Sequence, residues 1–197
     1  AKKTRVKACE GVPGRLGADR AAELRLVGEE AAEIMSAYAQ AIVEKKIPAS
    51  ELVRLACEQH RRDILREDLV FNFEEVGSWL DFTRKLEHVD GNAAERGEHF
   101  EPLPWQIFCI GSVLGWYHPD GRRRYRLALI EVARGNGKTT LCAALALWAT
   151  LHGHGRENYL FANTLRQAQK AYRSAAYMAR GLAPDELPHA RGERRRW

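Results

Sequence analysis

The residues with the clearest chemistry lie in one short run, Arg134-Gly135-Asn136-Gly137-Lys138-Thr139-Thr140. A loop of small residues that leads into a helix points several backbone N–H groups at one place, and the helix dipole adds positive potential there. A lysine and a hydroxyl at the helix start suit a magnesium-bound nucleotide, because the ammonium reaches the β- and γ-phosphates and the hydroxyl reaches the metal. We call residues 134–137 the glycine loop and predict that it binds phosphate.

The segments on either side of the glycine loop are of the kind that such a site needs. Leu127–Ala133 is almost wholly apolar, which is typical of a strand buried on both faces of a parallel sheet. Leu141–Leu151 is rich in alanine and leucine and predicts a helix that ends at Gly153. Strand, loop and helix together indicate that the loop is held in a fixed place.

A second strand and helix are predicted further along the chain. Asn158–Asn163 is a short apolar run, and Thr164 can cap a helix from Leu165 to about Ala179. The order strand, helix, strand, helix is typical of the opening of a parallel three-layer sheet. The sequence therefore predicts an α/β domain built around the glycine loop.

The glycine loop departs from the usual pattern G-x-x-x-x-G-K-[ST] at one position. That pattern would place its first glycine at residue 132, where this chain has Val132, whereas Gly137-Lys138-Thr139 keeps the stricter half. The alternative is a plain connection whose glycines only ease the turn. The buried-type strand before the loop and the helix after it favour phosphate binding.

Residues 1–100 predict a helical region with a basic leader. Apolar residues at helical spacing indicate a helix from about Ala18 to Lys46, and Pro48 interrupts it. A third helix is predicted within Phe71–Leu86, where the aromatic spacing is typical of a core. This region is expected to be mainly helical.

The second helix of this region is predicted from Glu51 to about Leu65, with Ser50 as its cap. Its apolar side chains that share one face are Leu52, Leu55 and Ala56. Its basic edge consists of Arg61, Arg62 and Arg66. A solvated helix face is the ordinary interpretation of such arginines, and an edge that faces DNA is the alternative.

The composition is that of an ordinary globular protein, with a net charge of +5. The excess is local and lies in residues 2–7, 122–124 and 194–196. Such clusters are compatible with a polyanionic partner but do not require one. No apolar run of about 18 residues occurs, so we expect a soluble intracellular protein.

Three runs around the glycine loop occur in an order that is typical of one family. They are Leu103–Phe108, Gly115-Trp116 and Ala133–Thr139. On these residues the chain resembles the large terminase subunit of tailed bacteriophages, the DNA-packaging motor ATPase, in its HK97-like branch. That family uses a deviant Walker A motif with an arginine inside the loop and the first glycine often missing, which matches Arg134 and Val132.

The resemblance implies a role for each residue of the loop. Carried over by position, Lys138 stabilises charge on the transferring phosphoryl group and Thr139 helps to hold Mg²⁺. The backbone donors to the phosphates would come from Gly135, Asn136 and Gly137. Arg134 would point at the phosphates or signal between neighbouring subunits, and Thr140 would either add a phosphate contact or play no special part.

The resemblance also implies a site for the base. Gln106, beside Trp105, would contact the adenine, because a glutamine amide can both donate to it and accept from it. The alternative is that Gln106 is simply a polar residue at a helix start. ATP and Mg²⁺ are the implied cofactors.

As a member of this family the chain would comprise an N-terminal helical region over residues 1–100, an incomplete three-layer P-loop ATPase domain over 101–180 and an irregular basic tail over 181–197. The implied partners are double-stranded DNA without sequence preference, the small terminase subunit and the portal protein. The intact protein would form a homo-oligomeric ring in the cytoplasm of the infected bacterial host. ATP hydrolysis would drive DNA into the prohead.

Hydrolysis needs an acidic residue at a strand end to hold the metal, and a glutamate to orient water. After Thr140 the only acidic pair is Asp185-Glu186, which is expected in a loop, and the family's nuclease domain has no counterpart. We therefore expect the front portion of a terminase, inactive or weak by itself. A small-molecule kinase and a non-catalytic nucleotide-binding module stay open as alternatives.

Overall fold

The computed structural model describes residues 17–152 and 157–182. These residues form two compact units. Residues 17–81 and 102–131 belong to the first unit, and residues 82–101, 132–152 and 157–182 belong to the second. The expected basic leader and the tail beyond residue 182 lie outside the described residues, and the division at residues 100 and 180 stays a prediction.

Helices dominate the described residues. The elements in chain order are α1 (Ala18–Val43), α2 (Glu51–Asp63), β1 (Val70–Phe71), α3 (Phe73–Arg84), α4 (Asn92–Glu95), α5 (Pro104–Gly115), β2 (Trp116–Tyr117), α6 (Lys138–His152) and α7 (Leu165–Gly181). The three helices predicted before residue 90 are confirmed as α1, α2 and α3. None of the described helices is both long and apolar enough to cross a membrane.

In the first unit α1 packs against both α2 and α5. Ser50 caps α2 as predicted, since its Oγ accepts a hydrogen bond from the N–H of Val53 at 3.4 Å. The crossing of α1 and α3 is unusually close. A Cβ on Gly28 would lie 1.9 Å from the carbonyl oxygen of Phe73, and one on Gly77 would lie 1.8 Å from that of Leu24. Only glycine fits at either position.

The apolar residues predicted to share one face of α2 do not form its buried face. Leu52 is 72% exposed, and Leu55 and Ala56 are exposed as well. The helix instead buries Cys57, His60 and Asp63. The reason is that polar partners, described below, satisfy the carboxylate of Asp63, so this face of the helix can be buried.

The described residues contain a single two-stranded sheet, in which β1 and β2 run antiparallel with Val70 opposite Tyr117 and Phe71 opposite Trp116. The fold is consistent with the α/β class, but the predicted parallel sheet is not seen. Residues 127–133 and 158–163 are assigned neither strand nor helix. A strand exists only through hydrogen bonds to a neighbour, and no neighbour lies beside these segments among the described residues.

Both of these segments expose their apolar side chains. Leu127 is 90% exposed and Leu129 is 87% exposed. Phe161 is 89% exposed, and its ring stacks on that of Tyr159 with 6.0 Å between the centroids. Isolated exposed apolar residues are ordinary, but clusters of large ones mark surfaces that another element covers.

In the second unit α6 and α7 pack against each other. The prediction of both helices is confirmed, and α6 begins at Lys138 rather than Leu141. The buried residues of α6 are Leu141, Ala143, Ala144 and Trp148. Thr164 caps α7 as predicted, because its Oγ1 accepts from the N–H of Gln167 at 3.3 Å.

Candidate phosphate-binding site

The glycine loop enters α6 through two glycines in the left-handed region. Gly135 has φ +89° and Gly137 has φ +69°. A residue with a Cβ is strained in this region, so the loop requires glycine at both positions. Alternation of right- and left-handed backbone makes consecutive N–H groups converge on one side, which is the geometry of an anion-binding nest. Loop and helix are joined directly, since the N–H of Leu141 donates to the carbonyl of Gly137 at 2.9 Å.

Lys138, the first residue of α6, folds back across this loop. Its Nζ donates to the carbonyl oxygens of Val132 at 2.6 Å and Ala133 at 2.8 Å. The side-chain amide of Asn136 donates to the same Ala133 carbonyl at 3.1 Å. These partners are neutral, so the ammonium keeps its charge uncompensated. An arriving phosphate offers it a stronger, charge-assisted partner.

The other predicted residues stand around the loop. Arg134 is exposed and forms no ion pair with any residue that the structure describes. Thr139 and Thr140 are half-buried in the first turn of α6. No aspartate or glutamate occurs from residue 132 to residue 152, so the loop and its helix are electropositive.

The chemistry of these donors fits the phosphates of a nucleotide. Backbone N–H groups, one ammonium and one guanidinium all donate and carry or share positive charge. Magnesium needs oxygen ligands, and it commonly binds through substrate phosphates and water with few protein groups. Thr139 could supply one such oxygen to a metal brought in by the phosphates. The described residues hold no cluster of three or more His, Cys, Asp or Glu side chains for a metal by itself.

The residues predicted to contact the base lie in the first unit, at the start of α5. Gln106 is buried, and its Oε1 accepts a hydrogen bond from the N–H of Leu103 at 2.8 Å. This is one arm of a capping box, in which the third residue of a helix reaches back to its cap. Trp105 beside it is half-buried. The carbonyl oxygen of the Gln106 side chain therefore already has a hydrogen-bond partner, and only its NH₂ group is available to contact adenine.

Sequence reasoning missed a buried ion-pair cluster in the first unit. Asp63 is fully buried, and its carboxylate accepts from Gln59 Nε2 at 2.7 Å and from the Tyr125 hydroxyl at 2.9 Å. Arg124 completes the set with Nη2 at 2.8 Å. Arg124 and Tyr125 lie about 60 residues from Asp63 in the sequence, and no local pattern links them to it.

A second ion pair anchors the neighbouring residue. The carboxylate of Glu75 accepts from the Arg123 guanidinium and from the Tyr117 hydroxyl. Arg123 also donates to the carbonyls of Val113 at 3.3 Å and Leu114 at 3.2 Å at the end of α5. These ion pairs and hydrogen bonds therefore fix residues 123–125 to the first unit, immediately before the exposed apolar run that leads to the glycine loop.

His60 lies beside this cluster with neither ring nitrogen hydrogen-bonded to any described residue. Its ring packs edge-on against Phe108 and Trp116 at centroid distances of 5.4 Å and 6.0 Å. Burial lowers the pKa of His60 from 6.5 to about 4, although the carboxylate of Asp63 opposes the shift. The folded state therefore prefers the neutral imidazole, and the site is apolar in character.

The comparison with protein families bears on the glycine loop directly. Residues 104–181 match the family of the terminase large subunit, ATPase domain. The match begins with the first residue of α5, ends with the last residue of α7 and contains the glycine loop, Trp105 and Gln106. The match makes this segment similar to the ATPase domain of terminase large subunits. It spans less than half of the chain.

The other comparisons add no relative. Neither the search of curated proteins nor the search of solved structures found a match.

Proposed function

We propose that this chain carries the nucleotide-binding part of a terminase large subunit of the HK97-like branch, the motor that hydrolyses ATP to move viral DNA into the prohead. One observation carries the proposal: the family match encloses a loop with two left-handed glycines that leads into a helix at a lysine. The two parts of this observation differ in kind, since one is a set of backbone angles and the other a match of residue types over residues 104–181.

Within this proposal the loop residues divide the work. Backbone N–H groups of Gly135, Asn136 and Gly137 cradle the phosphates. Lys138 leaves the carbonyls of Val132 and Ala133 and binds the β- and γ-phosphates, where it stabilises the charge of the transferring phosphoryl group. Thr139 offers its hydroxyl to the phosphate-bound Mg²⁺.

Arg134, Thr140 and the residues at the start of α5 have further proposed roles. Arg134, exposed and without an ion pair among the described residues, faces the phosphates or a neighbouring subunit. Thr140 contributes a further phosphate contact. Gln106 and Trp105 contact the base, with the Gln106 NH₂ as the donor.

The parallel sheet belongs to the same proposal. Residues 127–133 precede α6 in the chain and residues 158–163 follow it, and both are short apolar segments with exposed side chains. In the working motor they become neighbouring strands, with further strands and helices over them. Duplex DNA, the small terminase subunit, the portal protein and a ring of identical subunits are the proposed partners.

The experiment that tests this function follows the γ-phosphate of labelled ATP. The chain is incubated with Mg-ATP, duplex DNA and a panel of small hydroxyl acceptors, beside Lys138→Ala and a control, Lys46→Ala, which removes an exposed lysine of the first unit. The proposal expects no label on any acceptor, and any inorganic phosphate released disappears in Lys138→Ala alone. Label on an acceptor would identify a small-molecule kinase and contradict the proposal.

A further inference from the structure

Helix α7 carries a row of positive charge. Arg166, Lys170, Arg173, Tyr177 and Arg180 follow one another at spacings of 4, 3, 4 and 3 residues. At 3.6 residues per turn these positions share one side of the helix. From Arg166 to Arg180 the row is roughly 21 Å long at 1.5 Å per residue. We call these five residues the α7 row.

The α7 row is exposed and its charge is not compensated. All five side chains are exposed, and no described residue forms an ion pair with any of the four cations. No aspartate or glutamate occurs from residue 158 to residue 182. The buried side chains of α7, Ser174 and Met178, lie off the row, and α7 packs against α6. The fold thus presents the row to solvent.

Other basic clusters of the chain are different. Arg122, Arg123 and Arg124 are consecutive in the sequence, but they pair with Asp120, Glu75 and Asp63 respectively. On α2, Arg54 pairs with Glu51 and Glu58, and just beyond its end Arg66 pairs with Asp68. Only Arg61 and Arg62 of this cluster form no ion pair with a described residue, and Arg62 donates to the side chain of Gln59. Among the helices that the structure describes, a row of four cations without an ion pair is therefore specific to α7, and the general basicity of the chain does not account for it.

We infer that the α7 row binds the phosphodiester backbone of duplex DNA without reading its sequence. This deepens the proposed function and rests on it, because that function supplies DNA as the partner. One strand of B-DNA places a phosphate about every 3.4 Å along its axis, so a row of roughly 21 Å spans several phosphates. Arginine suits this task because its planar fork donates two hydrogen bonds to one phosphate.

The chemistry of the row distinguishes a phosphate backbone from an acidic protein. Protein interfaces are organised around buried apolar or aromatic anchors with charges at the rim. The α7 row has cations along its whole length, and its single aromatic residue, Tyr177, offers a hydroxyl that can donate to a phosphate oxygen. Gln169, exposed beside the row, adds another donor. An array of donors with no apolar centre fits a polyanion with regularly spaced charge.

The test uses fluorescence anisotropy of a labelled duplex of about 20 base pairs, titrated with the full chain at several salt concentrations. The variant Arg166→Gln with Arg173→Gln removes two cations of the row. Its matched control, Arg61→Gln with Arg62→Gln, removes two exposed arginines of α2 in the first unit. Glutamine keeps good helix propensity, so both variants are expected to fold, which far-UV circular dichroism checks.

For B-DNA the slope of log K against log salt is about −0.9 for each phosphate neutralised. We expect the α7 variant to flatten the slope by about 0.9 per arginine and to weaken binding at 0.1 M salt by at least about tenfold. The control is expected to keep the wild-type slope. Equal loss in both variants, or no binding of DNA by the wild type at low salt, would overturn the inference.

Two further readouts separate the possible failures. Mg-ATP binding by the α7 variant is expected to be unchanged, so a loss of DNA binding alone supports the row as a separate surface. If Mg-ATP does not bind to any variant while the α7 effect persists, the proposed function fails and the DNA surface stands. If polyglutamate binds through the row as tightly as DNA at the same salt, the partner is an acidic protein and the inference is wrong.

Discussion

Replacing Asp63 by asparagine is the sharpest perturbation of the first unit. The fully buried carboxylate accepts hydrogen bonds from Gln59 and Tyr125 and pairs with Arg124 at 2.8 Å. Arg124 retains only 14% of its side-chain exposure, so an uncharged partner leaves a guanidinium almost without solvent or counter-charge. Breaking such a pair from one side costs about 3–5 kcal/mol.

A matched variant separates the charge from the hydrogen bonds. Tyr125→Phe removes one hydrogen bond to the same carboxylate and leaves the ion pair in place. A hydrogen bond to a charged group contributes about 1.5–3 kcal/mol, so this variant should be the milder one. The free energy of unfolding is measured by urea denaturation, followed by far-UV circular dichroism, and the slope m is compared between variants.

A double-mutant cycle completes this test. Arg124→Leu and Asp63→Asn should each destabilise strongly, and the double variant should lose less than the two together, with a coupling of about 1–3 kcal/mol. The reasoning is refuted if Asp63→Asn lowers the free energy of unfolding no more than Tyr125→Phe does, or if the effects of Asp63→Asn and Arg124→Leu are additive. Either result would mean that the ion pair does not hold residues 123–125 in place.

Three other outcomes follow from the structure. Gly28→Ala should lower the free energy of unfolding, measured in urea, by about 1–3 kcal/mol, because its Cβ would lie 1.9 Å from a carbonyl oxygen. The control Gly181→Ala, whose Cβ would have no atom closer than 3.7 Å, should be neutral or stabilising. Equal effects would contradict the close crossing of α1 and α3. The pKa of His60 is lowered to about 4 in the folded state, so the free energy of unfolding keeps its full value above pH 6.5 and falls by up to about 3 kcal/mol as the pH drops from 6.5 to 4. His60→Phe should remove this part of the pH dependence of unfolding. An unchanged profile would refute the burial argument. Leu129→Lys with Phe161→Lys should reduce concentration-dependent association in light scattering, since both side chains are almost fully exposed; a wild type that stays monomeric and melts in one sharp transition would contradict this expectation.

Local signals in the sequence predicted the helices well. Periodicity placed α1 and α3, and a hydroxyl before a helical run identified Ser50 and Thr164 as caps. These features depend on neighbours within a few residues, which the sequence displays directly. The glycine loop belongs to the same class, because the types and spacing of Gly135, Gly137 and Lys138 are sufficient to predict a loop that enters a helix.

Features that depend on distant partners could not be predicted. The sequence placed Leu52 and Leu55 on the apolar face of α2, and nothing near Asp63 indicates that Arg124 and Tyr125 will satisfy its carboxylate. The pairing of β1 with β2 joins two residues around position 70 to two around position 116. Such contacts are defined only by the folded structure. From the sequence alone a carboxylate is predicted to lie at the surface, because its buried partners are not known.

The predicted strands illustrate a different limit. An apolar run such as Leu127–Ala133 shows that burial is favourable, but it does not show what provides the burial. In the described residues no strand lies beside it, and its leucines remain exposed. Composition can therefore indicate a strand, whereas the ladder that makes it one is a property of its neighbours.

The most direct test of the account is whether Mg-ATP binds at the glycine loop. Titration calorimetry compares the wild type with Lys138→Ala, whose missing ammonium is the group that bridges Val132 and Ala133 in the structure, and with the control Lys46→Ala. We predict saturable binding by the wild type and the control and no measurable binding by Lys138→Ala. Equal binding by all three proteins, or no binding by the wild type, would contradict the assignment of the glycine loop as a nucleotide site.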